Sequence, residues 1–377
     1  MTRVLELSAQ AAGGVRAHIR QVSQLLAKDG HQVLLAGPSN VISPAPDAVS
    51  GACLRTYQID IGARPSGADL KALRQLKQLA VTVEVIHAHG LRAGALAVLA
   101  AKRLPAAKRP RVVVTLHNLP VGSAPTRLVG KALHLVVVKG ADYVLTVSPD
   151  LLEKAKQLGL EAGEIAVVPA PARGCADYGC MDRATQPEIS QASAQSSDAS
   201  SAAGCGATPC VLTIARLAPQ KGLDLLLEAA TLIKQRGIDF TWLVAGDGPL
   251  KAQLNQQIAD AALPVKLLGR REDIGALLSQ ADVVVQTSYW EGQPLTLREA
   301  MQAGRAIVAT DVGGSAYTLA GCGQLVEPQA GPLADAVVAV ISDPKRRETL
   351  EAASRAAVAK IPGETQLREQ LDRVLAL

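Results

Sequence analysis

At 377 residues the chain is too long for one ordinary α/β core and sufficient for two, so two domains of similar size are expected. Its residues are 48% hydrophobic but only 2% aromatic, which leaves Ala, Val, Leu and Ile to fill the cores, as in parallel sheets flanked by helices, and no apolar run approaches the roughly 20 residues of a membrane span. The formal charge of +5 is unevenly divided: residues 1–171 carry 20 Lys and Arg against 11 Asp and Glu, the remainder 19 against 23. A basic first half suits an anionic partner, such as a phospholipid surface or a phosphorylated acceptor, as well as it suits a solvated basic face. Met1 to Gln10 reads as a strand and a loop, not as a signal peptide, so a soluble, cytoplasmic protein is expected. Six cysteines in a chain with cores of this size point to reduced thiols, not to a disulfide framework.

In chain order, the pattern predicts a strand over Arg3–Ser8, a helix over Val15–Lys28, and strands over Gln32–Ala36, Val83–Ala88, Arg111–Leu116, Tyr143–Val147 and Ile165–Val168. Helix-length stretches separate most of these, the signature of a parallel sheet with right-handed crossovers. From Ala172 to Pro209 the alternation stops, and the Ser/Ala-rich run within it reads as a flexible insertion or linker. It resumes with strands over Cys210–Ala215, Phe240–Ala245, Val265–Leu268, Val283–Thr287 and Ala306–Thr310. Helices are predicted over Lys221–Gln235, Leu250–Ala261 and Leu297–Ala303, so a second doubly wound domain follows. Three helical stretches close the chain, over Pro332–Ile341, Lys345–Ala359 and Thr365–Leu377.

The segment Tyr289 to Met301 follows an apolar strand with a Gly-Gln-Pro turn and a helix that starts near Pro294, where proline's fixed φ and missing donor cost nothing. The first free amides of such a helix make a site for a diphosphate, with Glu291 before the helix and Glu299 inside it. The stretch EGQPLTLREAMQAG resembles the E-x7-E signature of family 4 of the retaining glycosyltransferases, which have the GT-B fold: two Rossmann-like α/β domains facing a central cleft. The resemblance implies that Glu291 sits beside the donor sugar, that Glu299 hydrogen-bonds the ribose, and that backbone at Gln293, Pro294 and Leu295 approaches sugar and phosphate. It further implies an acceptor-side domain over residues 1–171, the insertion over 172–209, and a nucleotide-sugar-binding domain over 210–362. A helix over 363–377 would return to the first domain.

The other motifs fall in the family's order. Arg216 and Lys221, directly after the strand VLTI, pair a fork-shaped with a point-like cation where a diphosphate must be neutralised without metal. The resemblance gives them the departing nucleoside diphosphate. Gly13 and Gly14 allow close backbone approach at a helix start, and by resemblance touch donor phosphate and acceptor. In His87-Ala88-His89-Gly90 alternation sends both imidazoles to one face. No carboxylate or cysteine lies nearby in sequence to complete a metal site, so no metal is assigned. The resemblance turns His89 toward the sugar, whereas His87 reads as a packed residue and His117 as either a contact or packing. The resemblance also implies that Arg270 or Arg271 lies near the nucleotide base and that Gly313 and Gly314 shape the floor of the site.

Two features depart from the family. No Asn-Gly turn follows Val168-Pro169, and the insertion carries Cys175, Cys180, Cys205 and Cys210 as two C-x4-C pairs, read as unlinked thiols before a zinc knuckle. A basic helix bearing Arg127, Lys131, His134 and Lys139 reads as a crossover helix with a solvated edge before a membrane-facing one. No side chain in these motifs is an evident covalent nucleophile, so the resemblance implies front-face displacement. It also implies a UDP-sugar or GDP-sugar as donor substrate, no cofactor, no nucleic acid, and an acceptor that is anionic or peripheral to the membrane. The rival readings are a sugar-nucleotide epimerase of similar fold, which would need acid and base residues on both faces of the sugar, and a catalytically silent nucleotide-sugar-binding protein.

Overall fold

The computed structural model describes residues 1–11, 13–43, 53–62, 67–118, 124–170 and 208–377, without the side chains of 124–127. Its contacts divide the chain into two units, Met1–Pro169 with Pro362–Leu377, and Ala170–Ile361. The Ser/Ala-rich insertion lies outside the described residues.

The first unit is a parallel sheet of β1 (Arg3–Ser8), β2 (Gln32–Gly37), β3 (Leu54–Gln58), β4 (Val85–His89), β5 (Arg111–Leu116), β6 (Tyr143–Thr146) and β7 (Gly163–Ile165). Among the described residues the spatial order is β3, β2, β1, β4, β5, β6, β7. Helices α1 (Gly13–Lys28), α2 (Ser39–Ile42), α3 (Ala68–Ala80), α4 (Leu91–Lys102), α5 (Ala124–Gly140) and α6 (Pro149–Gln157) connect the strands. The central strands β1 and β4 are buried on both faces, so Glu6, His87 and His89 are enclosed along with the apolar residues between them. Edge strand β3, LRTYQ, is exposed along most of its length, and its polar composition conceals it from a search for apolar runs.

The second unit holds β8 (Cys210–Ile214), β9 (Thr241–Ala245), β10 (Val265–Gly269), β11 (Val283–Gln286), β12 (Ala306–Thr310) and β13 (Gln324–Val326), in the order β10, β9, β8, β11, β12, β13. Helices α7 (Leu223–Gln235), α8 (Lys251–Asp260), α9 (Ile274–Gln280), α10 (Leu295–Gln302), α11 (Ser315–Leu319), α12 (Ala330–Ser342) and α13 (Pro344–Ala357) complete it. Strand alternation divides its core in two. Val211, Trp242, Val244, Val283, Val285 and Val308 meet α7 and α12 on one face. Leu212, Leu243, Val284, Ile307 and Ala309 meet α9, α10 and α13 on the other.

The last helix, α14 (Glu364–Leu375), joins the first unit. The Gln370 side-chain oxygen accepts from the Val167 amide at 2.7 Å, and Arg373 pairs with Glu164 at 2.7 Å. Burial of Glu164 would raise its carboxyl pKa, but hydrogen bonds from Arg373 and Gln370 outweigh that and hold it below the ordinary value.

Two boundaries differ from expectation in an informative way. The helix expected from Lys221 is broken into a 3₁₀ turn over Pro219–Lys221 and α7, with Gly222 left-handed between them. The strand expected over Ile165–Val168 ends at Ile165, and the Val167 amide beyond it donates to the Gln370 side chain of α14 instead.

Candidate active site

In each unit the strand order reverses beside the first strand, between β1 and β4 and again between β8 and β11. The loops leaving the carboxyl ends of such neighbours turn to opposite faces of the sheet and leave a crevice, the ordinary ligand position of an open α/β sheet. Every loop singled out at those ends by sequence is there: Gly13-Gly14 after β1, His89 at the end of β4, Arg216 to Lys221 after β8, and Glu291 after β11.

At the second switch point Lys221 and Glu291 touch. Lys221 Nζ donates to Glu291 Oε1 at 2.5 Å, and Ser288 Oγ donates to the same oxygen at 2.5 Å. The two loops are laced together around that pair. The Tyr289 amide donates to the Gln220 carbonyl at 2.9 Å, Gln220 Nε2 to the Trp290 carbonyl at 2.8 Å, and Thr287 Oγ1 to the Lys221 carbonyl at 2.8 Å. Gly222 makes this close approach possible: at φ +59° a Cβ would lie 2.0 Å from the Thr287 carbonyl oxygen. A crevice lined by Thr213, Lys221, Gln286, Ser288, Glu291 and Thr296 opens beside the pair.

From the far side, Gly313 and Gly314 hold the Glu291 backbone. The Gly314 amide donates to the Glu291 carbonyl at 2.9 Å, and a Cβ on Gly313, at φ +54°, would lie 2.1 Å from that oxygen. Helix α10 begins just after Pro294, its N-cap, and no side chain among the described residues caps its amino terminus, so its first amides retain capacity for an anion. Glu299 lies partly buried in the second turn of that helix.

The remaining sequence candidates separate. Arg216 is exposed, and among the described residues its guanidinium makes no hydrogen bond or ion pair. Gln293 and Leu295 stand at the turn as expected, but the Gln293 side chain accepts from the buried Arg298 guanidinium, which occupies it within the fold. Burial lowers Arg298 to about 10, and among the described residues its Nε and Nη1 have no partner. Arg270 and Arg271 follow β10, the edge strand, and both are exposed. Arg271 forms a two-pronged pair with Asp273, at 2.7 and 2.5 Å. The Gly246-Asp247-Gly248 turn supports the Arg216 loop from below, its Asp247 carbonyl accepting from the Leu217 amide at 3.0 Å.

The first switch point is histidine-rich and closed. Both imidazoles of the H-x-H motif face one side, with ring centroids 4.2 Å apart. The carboxylate that local sequence lacks arrives from the neighbouring strand: Glu6 is in register with His87. His87 Nδ1 lies 3.0 Å from Glu6 Oε1, and His89 Nε2 lies 2.7 Å from Glu6 Oε2. His89 Nδ1 meets His117 Nε2 at 3.2 Å, and His87 Nε2 meets Thr115 Oγ1 at 2.8 Å. His18, one turn into α1 beyond Gly13-Gly14, stands 6.1 and 5.9 Å from the rings of His89 and His117. Gly13 is left-handed at φ +56°, and Gly14 is exposed.

Burial would raise the Glu6 carboxyl, but His87 and His89 beside it bring it down to about 2. Burial, then the neighbouring His87, lowers His89 to about 4 despite Glu6. His117 falls well below the ordinary imidazole value, by burial first and then by its histidine neighbours. The potential ligand atoms of Glu6, His87 and His89 lie within 4.8 Å of one another, a spacing here taken up by hydrogen bonds. His87 is therefore a hydrogen-bonded member of the array and more than packing. Glu6, His18 and Arg298 were not singled out by sequence.

Two expectations are corrected. Cys210 is disulfide-bonded, against the expectation of reduced thiols; Cys53 and Cys322 are in no disulfide, while Cys175, Cys180 and Cys205 lie outside the described residues. His134 is not on the basic surface of its helix but is 1% exposed, and burial lowers it to about 4. The same helix, α5, exposes Leu128, Val129 and Leu135 together with Lys131 and Lys139; the Arg127 side chain lies outside the description. No helix among the described residues is long and apolar enough to cross a membrane.

The family model for the glycosyl transferase 4-like domain matches residues 13–171, and that for glycosyl transferases group 1 matches residues 208–343. The phosphatidyl-myo-inositol mannosyltransferase of Mycobacterium tuberculosis is 29% identical over 368 residues, 92% of this chain and 88% of that protein. The alpha-D-kanosaminyltransferase of Streptomyces kanamyceticus is 34% identical over 149 residues, which span 38% of this chain and 39% of that one. The crystal structure of HepE from Anabaena in complex with UDP superposes with a TM-score of 0.73 over 99% of both chains at 19% identity.

Proposed function

Because the chain belongs to the glycosyltransferases of group 1 and the 4-like type, with the GT-B fold, we propose that it transfers a sugar from a nucleoside diphosphate to an acceptor hydroxyl with retention at the anomeric carbon. The observation that carries this reading is the contact of Lys221 with Glu291 at the carboxyl edge of β8 and β11. The two residue types that a sugar diphosphate needs, a cation for its phosphate and a carboxylate beside its sugar, stand within reach of one ligand.

In this reading the diphosphate takes Lys221 as its counterion, with Arg216 free to swing onto it and the uncapped start of α10 supplying amides. These groups stabilise the charge that grows on the leaving phosphate, where electrostatic catalysis gains most. Glu291, released from Lys221, turns to the donor sugar, and Glu299 binds the ribose. The bond from the anomeric carbon to the diphosphate oxygen breaks as the acceptor oxygen bonds the same face, and the acceptor proton passes to the departing phosphate.

Uridine is the first base to test, since HepE is known in complex with UDP and with UDP-glucose. An anionic or membrane-bound acceptor is supported by the likeness to a phosphatidyl-myo-inositol mannosyltransferase. The exposed apolar side chains beside Lys131 and Lys139 on α5 support peripheral contact with an anionic bilayer. The reading is tested by screening nucleotide sugars for thermal stabilisation and then measuring transfer by Glu291→Gln, Lys221→Ala and Glu299→Ala. Losses of roughly 100-fold or more are expected for the first two; unchanged turnover in all three would remove the assignment.

A further inference from the structure

We propose that Glu6, His89 and His117 form a positioning array, in which one carboxylate sets the tautomer of two imidazoles in series and leaves His117 Nδ1 as a lone pair for a substrate hydroxyl. The hydroxyl, though not the array, rests on the glycosyl-transfer reading.

An ionised carboxylate only accepts, so in the 2.7 Å contact with Glu6 Oε2 the proton sits on His89 Nε2. Burial keeps the His89 ring neutral, so its Nδ1 carries a lone pair. The 3.2 Å contact between that nitrogen and His117 Nε2 then requires the proton on His117. His117 is neutral for the same reason, and its Nδ1 is the one ring nitrogen of the series that the chain Glu6–His89–His117 leaves as an acceptor. Both nitrogens of His89 are thereby engaged, so the place toward the sugar that the resemblance gives His89 leaves it no hydrogen bond to offer there, and the free acceptor is on His117. Of the two rings His117 retains the greater exposure, 6% against 2%, and it closes β5 at the carboxyl edge of the sheet. Glu6 is the anchor, since it also accepts from His87 Nδ1 at 3.0 Å.

Glutamine at position 6 cannot reproduce this arrangement: its oxygen accepts as before, but its NH₂ group donates and forces one imidazole to present a lone pair. Nitrogen-15 NMR of histidine side chains in the full-length protein at pH 7 should show Nε2–H tautomers for His89 and His117. In Glu6→Gln the His89 or His87 pattern should invert, with kcat for sugar transfer down about 10-fold or more and donor KM within about 2-fold. His117→Asn, which keeps an acceptor near the Nδ1 position, should retain more kcat than His117→Ala.

A protonated or Nδ1–H His89 in the wild-type protein would overturn the array, whether or not the variants fold. So would unchanged tautomers and kcat in a folded Glu6→Gln protein. Stoichiometric zinc in the purified wild type, absent from Glu6→Gln, would also overturn it, because a metal takes the lone pairs that the tautomers assign to hydrogen. Failure of the wild type to transfer from any nucleotide sugar would instead remove the reaction and its hydroxyl, while the NMR pattern still decides the array.

Discussion

The two switch points share a topology and differ in everything electrostatic. In the first unit the carboxylate is wholly buried and surrounded by imidazoles, and both nitrogens of His89 are engaged. In the second the carboxylate is paired with a lysine whose side chain is 24% exposed. A buried, saturated array resists rearrangement, because breaking any bond strands a polar group away from water. The Lys221–Glu291 pair is itself largely buried, with Glu291 7% exposed, so the lysine leaves the carboxylate only for an anion that replaces it. The first arrangement is suited to holding geometry and the second to releasing it when a diphosphate arrives.

The comparison is broken most sharply by acid. All six histidines of the chain lie in the first unit. His89 titrates at about 4 in the folded protein and near 6.5 when unfolded. Its stabilisation is thus complete above pH 6.5 and is lost as pH falls through 4, because the unfolded chain binds the proton first. His134, also lowered to about 4, and His117 act in the same direction. Glu6 extends the loss from about pH 4.5 down to about 2. His89 alone contributes about 3 kcal/mol at 1.36 kcal/mol per unit. Hydrogen exchange between pH 7 and 4.5 should therefore show amides of β4 and β5 losing protection well before those of β8 and β11. Simultaneous loss in both sheets would contradict the assignment of the neutral histidines.

Backbone geometry sharpens the contrast at a smaller scale. Gly313 and Gly13 are both left-handed, but a Cβ on Gly313 would strike the Glu291 carbonyl, whereas one on Gly13 would meet nothing within 4 Å among the described residues. Gly13→Ala should cost about 1 kcal/mol, the strain of a left-handed alanine alone. Gly313→Ala should cost about 2 kcal/mol or more and raise donor KM, because the loop bearing Glu291 must move. Equal costs in urea titrations, or an unchanged KM in Gly313→Ala, would show that the loop is not held from that side.

What could be read in sequence follows from where the information sits. Lys221 and Glu291 were legible because each directly follows an apolar strand and carries a motif within a few residues. Glu6 was not. A single glutamate in RVLELS looks like an outward-facing strand position, and its partners lie 81 and 83 residues away. Only the parallel pairing of β1 with β4 brings them together. The backbone at Gln293 was legible from the turn, but its side chain's service to Arg298 inside the fold was not, because Arg298 reads as one more polar residue of the helix. Strand β3 escaped notice because an exposed edge imposes no apolar pattern.

Arg271 marks the periphery of the second switch point and should show the smallest effect. Its guanidinium is spent on Asp273 in an exposed pair next to the edge strand, and such a pair contributes about 0–1 kcal/mol. The carboxylate is held below its ordinary value by that hydrogen bond, but screening by solvent limits what this adds to stability. Arg271→Ala should therefore change the denaturation midpoint little and leave the donor KM within about 2-fold. A KM increase of about 10-fold or more, roughly 1.4 kcal/mol, would show that the arginine leaves Asp273 to bind the nucleotide. The site would then reach from β11 to the edge of the sheet, and Arg270, exposed on the same turn, would be the next residue to replace.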